Sequence, residues 1–392
     1  MKLLKLELLR MSPEAKYFLM AFIREFGVGT PVKKTVKEIS CLLKVSTSVV
    51  TRTTEFLVES GLFRKGDIPL LRERGRPRWS YSCTDRLVDL LERYDSCECI
   101  HESMIESIFN RGIVKQKDSD RRILKTSNKL LLVVMLAYAD ECGVVRVLGR
   151  SDLMRLTGMS RDRLIGQIDM LLSEGYIKFY EPGSTNRLLF GAGKGAYFLD
   201  LKKISPREAP EVERILVHEV LTELLIRELY TKTQLLLKEK SSTKKLDLVI
   251  GGYEVNDVKL LLAFFGTMPP KAFLSFFELK LNEYAAVILS SNWVNLASRV
   301  AFMDEKVMER IRDDIMPNSL SLRSSENMPS SDSWDAIAKL IYTLSLKVAT
   351  HIAQGQKGVN SFDFCNLSQV ILPSKVMFQG TMIDLYPRLG SA

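Results

Sequence analysis

One 23-residue pattern occurs twice in this chain, 114 residues apart and without a gap. Ile39 to Gly61 and Leu153 to Gly175 align apolar on apolar at Ile39/Leu153, Leu42/Leu156, Val45/Met159, Val50/Leu164, Phe56/Met170, Leu57/Leu171 and Val58/Leu172. Ser46 falls on Ser160, and Gly61 on Gly175. Repetition of pattern with little identity means one small folding unit used twice.

The unit reads as a helix-turn-helix. A short amphipathic helix, Val36 to Leu43 or Ser151 to Thr157, ends at a tight connection, Lys44-Val45 or Gly158-Met159. Ser46 or Ser160 follows, a side chain suited to accept from the free N–H groups of the next helix. That helix carries a stripe at three- and four-residue spacing, Val50, Thr53, Thr54 and Leu57, or Leu164, Gln167, Ile168 and Leu171. Gly61 or Gly175 closes it in the left-handed conformation. A third helix precedes each pair, with a stripe at Leu19, Phe22, Ile23 and Phe26, or Met135, Tyr138, Ala139 and Cys142.

Each copy then predicts a β-hairpin. The first runs Leu62 to Arg64 and Trp79 to Cys83, and the second Tyr176 to Tyr180 and Ala196 to Leu199. With the hairpin as a wing, Val45 to Phe63, Gly75 to Tyr81 and Met159 to Ile177 resemble winged helix-turn-helix regulators of the MarR-like kind. The resemblance covers about residues 12–95 and 127–200. It implies a mainly α fold with small β-wings and binding to double-stranded DNA.

Charge is divided unevenly along the chain. Residues 1–205 hold 35 basic and 25 acidic residues, a net of +10, while the remainder hold 21 and 22, a net of −1. Phosphate binding explains such segregation, because each neutralised phosphate releases counterions. The densest stretch is the first hairpin, with Arg64, Lys65, Arg72, Arg74, Arg76 and Arg78. Arginines on an extended tip suit phosphates or a narrow minor groove. On the first reading helix Thr47, Ser48, Thr51 and Arg52 lie off the apolar stripe, with Lys44 in the turn. Short hydroxyls and an arginine suit base edges and nearby phosphates. The second copy offers Arg161, Arg163, Arg187 and Lys194, but Asp162 would repel a phosphate and Gly166 weakens its helix. For that copy, contact with DNA and packing against a partner both stay open.

The expected domains are 1–108 and 127–204 for the two modules, a basic linker at 109–126, and an all-helical region at 205–392 after the prolines Pro206 and Pro210. Expected helices there are Val212 to Leu237, Val255 to Phe265, Pro270 to Ser291, Trp293 to Ile315 and Trp334 to Gln356, with a serine-rich loop at Ser319 to Ser333. Homodimerisation is the expected role, since helix-turn-helix proteins commonly read two half-sites with two subunits.

Other motifs carry little. Gly191 to Gly195 lacks the glycine and hydroxyl of a phosphate loop, with Leu188 where the first glycine belongs, and reads as a hairpin tip. Cys97, Cys99 and His101 lack the second ligand pair of a zinc site. The three histidines lie far apart, so no catalytic arrangement, cofactor or metal is expected. Lys5, Glu7 and Arg10 break the apolar start, and the run Leu130 to Ala139 is half a membrane span, so a cytoplasmic, nucleoid-associated protein is expected. The leading reading is a sequence-specific DNA-binding transcriptional regulator. A plasmid or mobile-element replication initiator or partition protein shares the tandem plan, and a winged-helix protein-interaction scaffold is the third reading.

Overall fold

Two units divide the chain: Met1–Lys178 with Tyr197–Ala209, and Phe179–Ala196 with Pro210–Ala392. The computed structural model describes Leu4 and residues 11–67, 79–93, 99–111, 124–184, 189–190, 193–217, 221–238, 249–250, 253–254, 271–298, 302–315, 331–355, 367–372 and 381–387. It is mostly helical with small antiparallel sheets.

In unit 1, helix α1 (Pro13–Phe26) starts where the Ser12 hydroxyl accepts from the Ala15 N–H at 3.2 Å. Proline at the first helical position has no N–H to leave unsatisfied. The expected stripe is wider than four residues. Tyr17 to Phe22 are all buried, while Ile23 and Phe26 are half-buried. The cause is a second apolar helix against it, α6 (Thr126–Ala137), whose residues Ser127 to Leu136 are buried without a break.

Helix α2 (Val36–Leu43) begins with a capping box. Thr35 Oγ1 accepts from the Glu38 N–H at 3.2 Å, and the Glu38 carboxylate accepts from the Thr35 N–H at 2.6 Å. Lys44 then takes the left-handed conformation, φ 51°. Ser46 caps α3 (Thr47–Glu59) by accepting from the Val49 N–H at 3.3 Å. Val50, Thr53, Thr54 and Leu57 are its buried residues, as the spacing requires. Strands β1 (Phe63–Asp67) and β2 (Trp79–Cys83) pair antiparallel, Phe63 opposite Cys83 and Asp67 opposite Trp79. Val32 bridges to Tyr81 on the other side of β2. Helices α4 (Asp85–Glu92) and α5 (Glu102–Arg111) follow. The buried Met104, Ile105, Ile108 and Phe109 of α5 have no counterpart in the sequence reading, and Phe109 stacks on Tyr17 with ring centroids 4.9 Å apart. Most of the expected linker, 112–123, lies outside the described residues.

After α6 come β3 (Val144–Val145), α7 (Arg150–Thr157), α8 (Arg161–Ser173), β4 (Ile177–Glu181), β5 (Ala196–Leu199) and α9 (Leu201–Ile204). The sheet order is β3-β5-β4. Hydrogen bonds repeat as well as elements. The Leu62 N–H donates to the Leu57 carbonyl at 2.9 Å, and the Tyr176 N–H to the Leu171 carbonyl at 2.8 Å. The Thr84 N–H reaches the Leu62 carbonyl at 3.0 Å, and the Asp200 N–H the Tyr176 carbonyl at 2.9 Å. Arg86 donates to the Ser60 carbonyl, as Lys203 does to that of Glu174, so each copy places a cation on the last turn of its third helix. Ser160 departs from expectation: its side chain makes no capping bond.

Residues 210–392 are not all helical, contrary to the sequence reading. Helices α10 (Leu221–Lys238), α11 (Lys271–Ser298), α12 (Glu305–Ile315) and α13 (Ser331–Gly355) share unit 2 with two small sheets. One is the pair β7 (Val249–Ile250) and β8 (Tyr253–Glu254). The other is a three-stranded antiparallel sheet of β6 (Glu213–Val217), β9 (Leu367–Ile371) and β10 (Thr381–Pro387), in the order β6-β10-β9. Glu213 to Val217 had been read as the opening of a helix from Val212. Its strand character comes from pairing with residues far along the chain. Arg214 lies opposite Asp384, donating from Nε and Nη2 at 2.7 and 3.1 Å to a carboxylate only 1 % exposed. The expected single helix Pro270 to Ser291 runs on to Ser298 through a kink at Asn292, whose side-chain amide donates to Asp304 at 2.6 Å. Val255 to Phe265 and most of the serine-rich loop lie outside the described residues. Helix α13 is apolar enough over Trp334–Gly355 to cross a membrane by composition, but 61 % of its apolar window is buried in the protein.

The second hairpin is not a solvated tip. Leu189 and Phe190 are buried, and the Phe190 ring centroid lies 5.9 and 6.0 Å from those of Phe276 and Phe277 on α11. A Cβ added at Gly193 would sit 2.3 Å from the Phe276 ring, so glycine is there to admit the ring.

The two turns give a stability prediction. At Gly158, φ is 71° and an added Cβ would sit 2.7 Å from the Met11 carbonyl oxygen. Gly158→Ala should cost about 1–3 kcal/mol and lower the urea midpoint. Lys44→Gly, at the matching position, relieves a left-handed lysine and should leave the midpoint unchanged or raise it.

Candidate nucleic-acid interface

Helix α3 separates its residues cleanly. The buried stripe faces the core, and Thr47, Ser48, Thr51, Arg52 and Glu55 are exposed. The Thr51 hydroxyl donates to the Thr47 carbonyl at 3.1 Å, which fixes its rotamer and leaves oxygen lone pairs free. Arg52 has no ion-pair partner among the described residues. An extended guanidinium flanked by short hydroxyls on the first two turns is the chemistry that reads base edges and grips phosphates.

Lys44 is exposed in the turn before α3, and its ammonium donates to the Asn110 carbonyl at the end of α5. Lys129 on α6 lies near it. Lys129 is only 6 % exposed and has no hydrogen-bond or ion-pair partner among the described residues. Burial depresses its pKa, and the charge of Lys44 adds to the effect. As the end of the basic run Asn110 to Lys129 this lysine reads as part of a solvated linker, whereas it is buried on the apolar helix α6.

At the base of the first hairpin Arg64 and Lys65 are exposed. The Lys65 ammonium lies 3.7 Å from the centroid of the Trp79 ring, and Trp79 is 37 % exposed. A cation over an exposed indole makes an amphipathic surface at the foot of the arginine-rich loop. Trp79 had been read only as a strand residue, although its position beside Arg78 was a usable signal. Arg72, Arg74, Arg76 and Arg78 lie outside the described residues, as does Arg187.

In the second copy Arg161 is exposed at the start of α8, beside the exposed Asp162. Arg163 is engaged in an ion pair with Glu14 of α1. Lys194 is exposed, next to the glycine that meets Phe276. The structure therefore gathers Lys44, Thr47, Ser48, Thr51 and Arg52 on one turn and helix, and scatters the second set.

Nothing metal-like assembles among the described residues. His101 is buried with Nε2 2.7 Å from the Asp140 carbonyl oxygen, so that nitrogen donates. Burial raises the Cys99 thiol pKa, which disfavours the reactive thiolate. Cys97 lies outside the described residues. A cleft of about 140 Å³ lined by Leu42, Leu43, Phe109 and Asn110 also holds Arg24, which is paired with Glu106 at 2.8 Å.

Lys129 gives a test of these electrostatics. Its folded pKa lies below the usual 10.5, so the unfolded chain binds more protons there and stability rises with pH towards that value. Lys129→Met should stabilise the protein by about 1 kcal/mol near neutral pH and remove this alkaline gain, as read by urea unfolding between pH 7 and 10.

Comparison with protein-family models finds no match for this chain, and comparison with curated proteins finds none either.

Proposed function

We propose that this protein is a sequence-specific regulator of transcription that binds double-stranded DNA through tandem winged helix-turn-helix modules. In this reading α3 is the recognition helix. Thr47, Ser48, Thr51 and Arg52 face base edges in the major groove, and Lys44 lies by the backbone. The hairpin β1–β2 is the wing, and Arg72, Arg74, Arg76 and Arg78 between its strands grip the flanking phosphates or the minor groove. Lys65 and Trp79 extend that surface to the foot of the wing.

One observation carries the reading. The residues that fit DNA chemistry are exposed together on α3, while the stripe that must be dry is buried, and a paired hairpin with a basic loop follows directly. The net charge of +10 over residues 1–205 supports it, since a general solubility charge has no reason to segregate.

Two variants separate the roles. Arg52→Ala should cost about 1–3 kcal/mol on the preferred sequence and relax the preference at one or two base pairs. Arg76→Ala with Arg78→Ala should weaken binding to all sequences alike and reduce the slope of log affinity against log salt by about 2. Fluorescence anisotropy on selected and scrambled duplexes at several salt concentrations measures both. Affinity that does not respond to salt would rule out DNA as the partner.

A further inference from the structure

The two copies contact each other. Helices α1 and α6, the first of each copy, lie together. The turn and start of α8 in the second copy meet the start of the first: Gly158 lies against the Met11 carbonyl, and Arg163 pairs with Glu14 of α1.

On the α8 side the contact between copies is a clasp, an ion pair plus an approach that leaves no room for a Cβ. On the α3 side the Lys44 ammonium donates to the Asn110 carbonyl at the end of α5. The reading helices differ likewise. The first two turns of α3 expose Thr47, Ser48, Thr51 and Arg52, whereas those of α8 expose Arg161, Asp162 and Gly166, with Arg163 already paired. Asp162, exposed beside Arg161, would repel phosphate. The second hairpin is spent too, with Phe190 buried against Phe276 and Phe277 and Gly193 closed by the same ring.

We infer that only the first copy reads DNA, and that the second is a module that braces α1. This rests on the DNA-binding reading above. It sets aside Arg161, Arg163, Arg187 and Lys194 as determinants of sequence preference. It also makes one reading helix per chain the unit of recognition.

The test uses the full chain and random-sequence duplex selection, followed by binding measurements on the selected site. The triple variant R161A/D162A/D169A changes only exposed positions of α8 and should fold normally. It should bind within twofold of the unaltered protein and select the same bases. T51A/R52A should lose at least tenfold and select a relaxed sequence. The inference is overturned if the α8 variant loses more than fivefold or changes its selected bases, even though the protein binds DNA. A protein that enriches no duplex and shows no salt-dependent affinity overturns the DNA-binding reading itself, a different result. Glu14→Gln adds a check on the clasp: a uniform loss over all sequences fits a brace, and a change of base preference contradicts it.

Discussion

Unit 1 depends on one constraint: the middle of α1 and nearly all of α6 are kept from water. Six consecutive buried residues, Tyr17 to Phe22, and ten, Ser127 to Leu136, leave no polar stripe for solvent. A helix apolar all round must be covered all round. Each of these helices covers part of the other, and its own copy covers the rest. The modules are therefore not beads on a string. Separating them would expose roughly the area of several large side chains, each worth about 1.5–3 kcal/mol of burial. The ion pair Arg163–Glu14, with side chains 38 % and 29 % exposed, adds far less than this apolar contact and serves mainly to fix the register between copies.

With the cores joined, the turns inherit different tasks. Lys44 and Gly158 stand at matching positions, and both have positive φ. The backbone needs the same bend in each copy. Only the second copy needs glycine, because there another chain segment presses on the bend. The first copy keeps a lysine at some conformational cost.

Much of this was legible in the sequence where the signal is local. Thr35, Ser46, Gly61, Gly158 and Gly175 mark helix ends through their own side chain or lack of one, and the stripe of α3 follows from spacing alone. What failed was set by distant partners. Five residues, Glu213 to Val217, form a strand because Thr381 to Leu385 lie beside them, and nothing nearby in sequence distinguishes them from a helix start. The glycine-rich tip of the second hairpin looked solvated because Phe276 is some 80 residues away. Helix α5 was missed for another reason: its four buried residues sit between the charged Glu102, Glu106 and Arg111 beside a basic run, so composition hid the period. Ser160 had the right type and position for a cap, yet its neighbour Arg163 is drawn to Glu14 and the start of α8 is held from outside the helix.

The charge asymmetry between halves of the chain now has a finer grain. A net +10 over residues 1–205 was first shared between two modules. Several of those cations are used internally: Arg24 with Glu106, Arg86 on the Ser60 carbonyl, Lys203 on that of Glu174, and Arg163 with Glu14. All four close structure in or between the modules at carbonyls or carboxylates, and the contacts of Lys203 and Arg163 are partly buried. On the first module Arg52, Arg64 and Lys65 remain exposed. In the proposed reading a polyanion meets Arg52 on the polar face of α3 and Arg64 and Lys65 on the hairpin that follows it.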